Sequence, residues 1–252
     1  MINQESNLVA SILEALDSHR LTIDTNDVLA IASKIVATVQ KRLVKLDSVQ
    51  PSQSAKHLAQ RVSLEPRFVE VVLQEADEVY GGVPKAILTL KDNILTANAG
   101  VDHKNAPPGY VVLWPKFPFM TAKKTREEIL DKIGRSVGVL IVDSRVTPLR
   151  MGTTGLSLAV AGFEPVSDER GKRDLFKNVI RVTQRALADD ISAGAQLLMG
   201  EVDEGIPVVL VRNTGLKMTD RPIKRSKIAI HHDECIFVRG LSSMRPLPSV
   251  CT

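Results

Sequence analysis

Val-Gly-Val-Leu-Ile-Val at residues 137–142, followed directly by Asp143-Ser144, is the stretch that decides the fold. The apolar run predicts a strand that is buried on both of its faces. An amphipathic helix is predicted before it over Thr121–Ser136, and another strand after it over Leu156–Val160. Because side chains at the carboxyl ends of buried strands project into crevices that bind ligands, Asp143 and Ser144 are the first candidate site residues.

The remaining predicted elements mix helices and strands without a regular alternation. Helices are predicted over Asn7–His19, Ser52–Arg61, Pro66–Glu78 and Asn178–Met199, strands over Ala86–Leu90, Ile94–Ala97, Tyr110–Trp114 and Val208–Val211, a strand leading into a turn or helix over Asp27–Ile35, and a turn over Gly152–Gly155. This order favours an α+β fold with mixed sheets and packed helices over a doubly wound sheet. We expect one unit over residues 1–252, with a main body and an inserted lobe as a possible subdivision.

Composition excludes several classes of protein. The chain has 252 residues, of which 44% are apolar and 25% charged, which is ordinary for a globular protein. No apolar run reaches the roughly 20 residues of a membrane-spanning helix, and no signal peptide is evident. Two widely spaced cysteines, Cys235 and Cys251, indicate a reducing compartment, so a cytoplasmic location is expected. The net charge of +4 is compatible with a nucleic-acid partner, but an aromatic content of only 4% and the lack of a recognition motif disfavour one.

The segment that follows the buried strand combines several chemical groups. Asp143 and Ser144 offer a carboxylate and a hydroxyl, which suit a hard divalent cation such as Mg²⁺ or Mn²⁺. Arg145 and Arg150 offer guanidinium groups that suit phosphate or carboxylate. Two nearby glycines let the backbone approach a ligand closely. For any one such Asp, a helix cap or a turn is the more common role, and the combination is what indicates a site.

Two other acidic residues are candidates for the same site. Asp102 follows a predicted strand through Gly100, between Asn98 and Asn105, whose amides can donate and accept hydrogen bonds. Its structural alternative is an Asx-type turn. Glu201 follows the predicted long helix, and its alternative is a solvated acidic loop.

Other motifs carry weaker indications. His231-His232-Asp233-Glu234-Cys235 resembles a metal cluster, but adjacent histidines do not easily ligate one ion from a regular element. The basic stretch Lys217–Lys227 is interpreted as a solvated loop or the rim of an anion site. His57 is interpreted as a packing or surface residue, and Trp114 as a core residue.

An ordered set of short motifs resembles the coenzyme F420-0:gamma-glutamyl ligase family. Ala-Asn-Ala-Gly-Val-Asp at 97–102 with Asn105 is similar to a hallmark segment of that family, and residues 142–152 resemble its Asp-Thr-Phe-Gly-Arg-Pro-Trp-Arg-x-Gly. Further matches in the same order are Ala-Val-Ala-Gly at 159–162, Arg-Gly at 170–171 with Asp-Leu-Phe at 174–176, Ala-Asp-Asp at 188–190 and Leu-Met-Gly-Glu at 198–201. Each piece is weak alone, whereas the ordered set, from about Asp27 to Asn213, is specific.

The resemblance implies an activity, a fold and an assembly. The implied reaction is GTP-dependent ligation of L-glutamate to a coenzyme F420 precursor, in which a carboxylate is first phosphorylated and the glutamate amine then attacks the acyl phosphate. Metal ions would neutralise the negative charge during phosphoryl transfer. The implied assembly is an intertwined homodimer of family-like α+β chains.

Residue roles follow from the same resemblance. Asp102 and Asp143 match carboxylates that share one metal, Ser144 stands where the family usually has a metal-binding Thr, and Glu201 stands where it has Gln or Glu on a second metal. Asp102, Asp143 and Arg150 are the expected catalytic residues. The expected nucleotide contacts are Ser33, Lys34, Asn105, Met199, Gly200, Val202, Asp203 and Glu204.

The chain also departs from the family pattern. No counterpart of the first family strand and its nucleotide-contacting loop is expected in this sequence, which opens on the predicted Asn7 helix, and Thr38 stands where the family has a Lys. Arg145 replaces Phe and Val146 replaces Gly after the metal ligands. The alternative hypothesis is therefore a non-catalytic or substrate-shifted paralogue that binds a phosphorylated ligand or a flavin-like coenzyme.

Overall fold

The structure is a computed structural model that describes residues 3–242. The helices are α1 (Leu8–Ser18), α2 (Ser33–Val39), α3 (Gln53–Val62), α4 (Pro66–Glu75), α5 (Pro118–Ile133), α6 (Leu187–Met199) and α7 (Ile236–Ser242). The strands are β1 (Val28–Ala32), β2 (Leu43–Lys45), β3 (Glu78–Val83), β4 (Ala86–Lys91), β5 (Ile94–Ala97), β6 (Tyr110–Val112), β7 (Gly138–Val146), β8 (Thr153–Ala161), β9 (Ser167–Asp168), β10 (Gln184–Arg185) and β11 (Val208–Val211).

The central sheet has the order β11-β1-β7-β8. β1 and β7 run parallel, while β11 and β8 pair antiparallel at the two edges. The other sheets are β3-β4-β5, β2-β6 and β9-β10. This mixed arrangement confirms the α+β prediction.

The alternation of side chains along β7 explains why its sequence is apolar throughout. Val139 and Ile141 face one side of the sheet and pack in a cluster with Ile12 of α1 and Ile129 of α5. Leu140 and Val142 face the other side and pack in a cluster with Ala188 and Ala195 of α6. Successive strand residues point to opposite faces, so burial on both faces requires an uninterrupted apolar run. The prediction from residues 137–142 is confirmed.

A second core lies between α3, α4 and the β3-β4-β5 sheet. Ala59 and Val62 of α3 pack against Phe68 and Val72 of α4, with Ile87 of β4 in the same cluster. Both helices begin with a side-chain cap, because Ser52 accepts from the Ala55 amide and Glu65 accepts from the Phe68 amide.

The prediction of a helix over Asn178–Met199 is wrong in its first half. Helix α6 begins at Leu187, and residues 169–183 form a hairpin arm between β9 and β10. In this arm the Gly171 amide donates to Ile180 O and the Ile180 amide donates to Lys172 O. Val182, at a spacing that imitates a helical stripe, is 84% exposed. The hydrogen bonds across the arm, rather than the apolar spacing, determine its conformation.

Smaller corrections concern element ends. The predicted turn at Gly152–Gly155 is wrong beyond Gly152, because β8 begins at Thr153 and pairs Thr153 with Val146. Helix α5 spans Pro118–Ile133 rather than Thr121–Ser136, with Pro118 in its first turn and Gly134 as a left-handed cap. β2 and β3 were not predicted.

None of the helices within residues 3–242 has the length and apolar character needed to cross a lipid bilayer.

Candidate functional site

The parallel pairing of β1 with β7 brings the first site residues together. Ala32 pairs with Val142, so Ser33 and Lys34 at the start of α2 lie at the same edge of this parallel pair as Asp143 of β7. Ser33 is 3% exposed and Lys34 is partly buried. The carboxyl edge of the parallel pair therefore carries an ammonium beside a carboxylate.

Asp143 is held by two hydrogen bonds. The indole Nε1–H of Trp114 donates to Oδ2, and the Ser144 amide donates to Oδ1 at 2.9 Å. Burial raises the pKa of the Asp143 carboxyl above its ordinary value, against the opposing influence of Lys34 and the two hydrogen bonds. Gly100 allows Trp114 to lie where it does, since a Cβ at Gly100 would meet the indole Nε1 at 2.1 Å. Such a contact would displace the ring.

Asp102 forms an ion pair with Lys34. Its Oδ2 is 2.9 Å from Lys34 Nζ, and its Oδ1 accepts from the Lys104 amide at 3.0 Å. A β-bridge to Val112 fixes its backbone. Burial alone would raise the pKa of Asp102, but the Lys34 charge and the Lys104 amide hold it below its ordinary value. Burial likewise opposes the charge on Lys34, yet Asp143 and Asp102 raise its pKa.

Glu201 approaches the same region from the loop after α6. Its Oε2 is 3.0 Å from Lys104 Nζ, and its Oε1 accepts from Thr153 Oγ1 at 2.9 Å and from Gln196 Nε2 at 2.8 Å. Although burial opposes ionisation, these contacts and a hydrogen bond from Ser144 lower the pKa of Glu201. Glu201 is therefore an ionised carboxylate that contacts both β8 and the loop after Asp102.

Lys34, Asp102 and Asp143 line one cavity of about 180 Å³, and Glu201 adjoins it through Lys104 and Thr153, which also line it. Its polar lining residues include Ser33, Lys34, Asn98, Asp102, Lys104, Asp143, Ser144, Arg145 and Thr153. The candidate ligands are Asp102, Asp143, Ser144 and Glu201, whose side chains offer carboxylate and hydroxyl oxygens. Such a donor set fits a hard divalent cation, with the Lys34 ammonium as the competing positive charge.

Apart from Ser33 and Lys34, which line the cavity, the residues expected to contact a nucleotide form a ledge beside it. Asn105 Nδ2 donates to Val202 O at 3.2 Å, and the Glu204 carboxylate accepts from the Val202 amide at 2.8 Å. Gly200 has a φ of 66°, which starts the turn. Met199 differs from the others because its side chain is buried in the α6 core, so only its backbone is available to a ligand. Asp203 is exposed.

Arg150 lies apart from the cavity. It is in the exposed loop between β7 and β8, where the neighbouring Leu149 and Met151 are fully exposed, and it is not one of the residues that line the cavity. A catalytic role for Arg150 stays a prediction.

The sequence model of the F420-0:gamma-glutamyl ligase family matches residues 1–213, which is most of the chain. This chain belongs to the F420-0:gamma-glutamyl ligase family. Curated relatives named "Coenzyme F420:L-glutamate ligase" include proteins of Methanopyrus kandleri, 39% identical over 206 residues, and Archaeoglobus fulgidus, 36% identical over 200 residues. These alignments cover 81% of this chain and 81% of the first relative, and 79% and 80% for the second. A relative of the same name from Methanosarcina mazei is 30% identical over 230 residues, and the alignment covers 88% of this chain and 89% of that relative.

The family is thus one of amide-forming ligases, and the resemblance proposed from the sequence motifs is confirmed. The motifs that carried the resemblance include Asp102, Asp143 and Glu201, which the fold brings to the cavity region from four distant segments together with Lys34.

Three site residues were missed or underestimated from the sequence of this ligase family member. Trp114 is buried as expected, but its N–H also binds Asp143. Buried indoles usually find an acceptor, so its position near a candidate carboxylate was the available signal. Lys104 and Thr153 bind Glu201. Lys104 follows the motif at 97–102 and Thr153 follows the motif at 142–152, but neither residue type indicated a site.

Two other sequence candidates lie outside the cavity. His231, His232 and Asp233 each place one ligand atom within 4.8 Å of the others, and all three are exposed. In the basic stretch, Arg225 pairs with Asp92 at 2.6 Å, which supports a structural role for that arginine. Cys235 is a free, partly buried thiol, and Cys251 lies outside the described residues.

Proposed function

We propose that this chain is a metal- and nucleotide-dependent acid–amine ligase that adds L-glutamate to a coenzyme F420-0-like carboxylate through an acyl phosphate. The observation that carries the proposal is the convergence of Asp102 and Asp143 on Lys34 in one cavity, with Glu201 adjoining. The names of the curated relatives, which are coenzyme F420:L-glutamate ligases, support the same substrates.

Asp102, Asp143, Ser144 and Glu201 are the residues that would hold Mg²⁺ or Mn²⁺. When bound, the metal would neutralise the phosphate oxygens and so favour phosphoryl transfer. The Lys34 ammonium adds a second positive charge beside the metal position. Because it is partly buried and lies near Asp102 and Asp143, this ammonium is held at the cavity and not in solvent. A lysine ammonium is a usual partner for transferring phosphate groups.

The reaction would proceed in two balanced steps. A carboxylate oxygen of the acceptor attacks the γ-phosphorus of GTP, the bond to the bridging oxygen breaks, and GDP leaves with that electron pair. The amine of L-glutamate then attacks the acyl carbon, inorganic phosphate leaves, and the nitrogen loses a proton as the amide forms. The first step creates the leaving group that the second step requires.

The nucleotide would lie between α2 and the ledge formed by Asn105 and residues 199–204. The Ser33 hydroxyl and the Lys34 ammonium lie at the start of α2, where the helix dipole favours anions. The ledge adds exposed backbone and side-chain groups of Val202, Asp203 and Glu204. GTP rather than ATP is proposed from the family resemblance.

We propose that the protein is an intertwined homodimer whose chains meet at the exposed apolar side chains of the hairpin arm. Leu175, Phe176 and Val182 are 97%, 85% and 84% exposed. Apolar groups gathered on one projecting segment are typical of an interface with another chain. A cytoplasmic location likewise remains part of the proposal. A non-catalytic paralogue is not favoured, because the metal carboxylates are retained and the curated relatives are named as ligases.

The proposal is tested by incubating the protein with F420-0, L-glutamate, Mn²⁺ or Mg²⁺, and GTP or ATP, while GDP release and product mass are measured. Stoichiometric formation of GDP and glutamylated product is expected, and Asp143→Asn is expected to abolish both. Asp131→Asn, an exposed residue of α5, is the matched control and should retain activity. Absence of product from the wild-type protein with either nucleotide and either metal would overturn the proposal.

A further inference from the structure

Arg145 lies beside the candidate metal ligands and lines the same cavity. It is two residues after Asp143 on β7 and pairs with Thr154 of β8, so its backbone is fixed in the central sheet. Its side chain is 36% exposed, which leaves the guanidinium partly open to a ligand.

The guanidinium of Arg145 is incompletely paired. Its Nε is buried and has no hydrogen-bond partner among the described residues. One terminal nitrogen is 3.8 Å from Asp189 Oδ2, which is beyond hydrogen-bond distance, while Asp189 Oδ1 accepts from the Ser157 amide at 3.0 Å. Buried donors are nearly always satisfied, and here the described protein atoms leave one without an acceptor in a side chain that lines the cavity.

The two lysines that line the cavity differ from Arg145 in this respect. Lys34 contacts Asp102 at 2.9 Å, and Lys104 contacts Glu201 at 3.0 Å. Both ammonium groups therefore have a close carboxylate, whereas the guanidinium of Arg145 keeps donors for an incoming anion. A planar guanidinium binds a carboxylate through two parallel hydrogen bonds.

Arg145 adds a positive charge to the wall of the cavity, beside the carboxylates of the candidate metal site. A guanidinium there is suited to select a substrate by its carboxylate and not to change the metal chemistry.

We propose that Arg145 is a specificity-determining residue that binds a non-reacting carboxylate of a substrate. The inference rests on the proposed ligase function. Two sources offer this group: both carboxylates of L-glutamate remain unreacted when its amine attacks, and the acceptor can carry a second carboxylate. The Asp189 carboxylate, held by the Ser157 amide, keeps the guanidinium oriented from the protein side.

The test compares the full-length wild-type protein with Arg145→Met, Arg145→Lys and Arg145→Phe. The KM values for L-glutamate, for the acceptor and for GTP are measured separately. Arg145→Met is expected to raise one carboxylate-substrate KM by about tenfold or more, with the KM for GTP and kcat little changed, because the lost contact is a charge-assisted pair. A rise for L-glutamate identifies the amino acid as the source, and a rise for the acceptor identifies the acceptor. Arg145→Lys should recover part of the loss, and Arg145→Phe should not.

Arg135→Met, an exposed arginine after α5, should leave all three KM values unchanged. If wild-type protein is active and Arg145→Met alters neither carboxylate-substrate KM, the inference is wrong while the ligase proposal stands. If wild-type protein does not ligate, calorimetric titration of L-glutamate and F420-0 in the presence of Mn²⁺ and GDP decides the inference separately. Binding that is lost in Arg145→Met supports it, and absent or equal binding overturns it.

Discussion

The ammonium of Lys34 lies 2.9 Å from Oδ2 of Asp102 and also acts electrostatically on Asp143 and Glu201. One positive charge therefore balances carboxylates that come from three distant parts of the chain. The arrangement makes Lys34 both a structural counter-ion and a candidate contact for phosphate.

Replacing Lys34 with Met should remove ligase activity and lower stability at neutral pH. The side chains of the pair are 26% and 32% exposed, so we expect a loss of roughly 1–2 kcal/mol, below the cost of breaking a fully buried pair. Because Lys34 lowers the pKa of Asp102, this stability is present above the unfolded pKa of Asp and is lost as the pH falls through the lower folded value. Denaturant unfolding at pH 7 and at lower pH values measures the difference, and an equal loss at every pH would contradict the assignment.

Trp114→Phe should weaken metal binding while the fold is kept. The substitution retains a large apolar ring but removes the N–H that binds Asp143 Oδ2. Loss of a hydrogen bond to a metal ligand typically costs about 10–100-fold in metal affinity. Electron paramagnetic resonance titration of Mn²⁺ measures the change. Tyr110→Phe in β6 is the control, and equal affinities for the two variants would show that the indole does not position Asp143.

Glu75→Gln should destabilise the protein at neutral pH but not at acidic pH. Glu75 contacts Lys91 and lies 2.7 Å from Arg42, with side chains less than one-fifth exposed. Burial opposes ionisation, yet Lys91 and Arg42 lower the pKa of Glu75. The stability is therefore present above the unfolded pKa of Glu and lost as the pH falls through the folded value. We expect a loss of about 2–4 kcal/mol at pH 7 by urea unfolding. Glu127→Gln, from an exposed pair in α5, should change stability by about 0.5 kcal/mol or less.

Gly155→Ala and Gly194→Ala should have opposite effects, because Gly155 of β8 lies against α6 whereas Gly194 lies on the exposed side of α6. A Cβ at Gly155 would lie 2.1 Å from Ser192 O, so α6 would have to move, at a cost of about 1–3 kcal/mol. A Cβ at Gly194 meets nothing within 4 Å, and alanine there should stabilise α6 by about 0.5–1 kcal/mol. Thermal unfolding of both variants checks the pair, and similar melting temperatures would contradict the packing described.

Phe176→Ser should shift the protein from dimer to monomer if the hairpin arm forms the interface. Phe176 is 85% exposed, so its removal should not disturb the fold of one chain. Light scattering gives the mass, and circular dichroism shows that the fold is kept. Leu149→Ser, equally exposed but in the loop after β7, should remain dimeric. A dimeric Phe176→Ser protein would move the interface elsewhere.

Local sequence predicts those elements whose pattern and caps agree. The apolar run before Asp143 predicts β7 because burial on both faces has no other simple solution. The prediction fails at Asn178–Arg185, where apolar spacing imitates a helix while the hydrogen bonds run across a hairpin arm. Those bonds join residues on separate sides of a turn, and single-sequence spacing does not register them.

The sequence predicted the acidic residues of the candidate site better than the residues that donate hydrogen bonds to them. Asp102, Asp143, Ser144 and Glu201 stand in motifs that could be recognised along the chain. The indole of Trp114, which follows β6, and the hydroxyl of Thr153 on β8 act on those acids from distant parts of the chain, and their contacts depend on tertiary packing. The expectation that Arg150 acts at the site came from its guanidinium and from the family-like segment at 142–152, whereas its exposed loop lies outside the cavity lining.

The pairing of β1 with both β7 and β11 has a consequence for biosynthesis. β1 is synthesised before both of its neighbours, because its parallel neighbour comes more than a hundred residues later and its antiparallel neighbour near the end of the matched region. Until β7 has been synthesised, Leu29 and Ile31 have none of their native strand neighbours. Over that interval the nascent chain carries an unpaired apolar strand, a situation in which aggregation competes with folding and chaperones act.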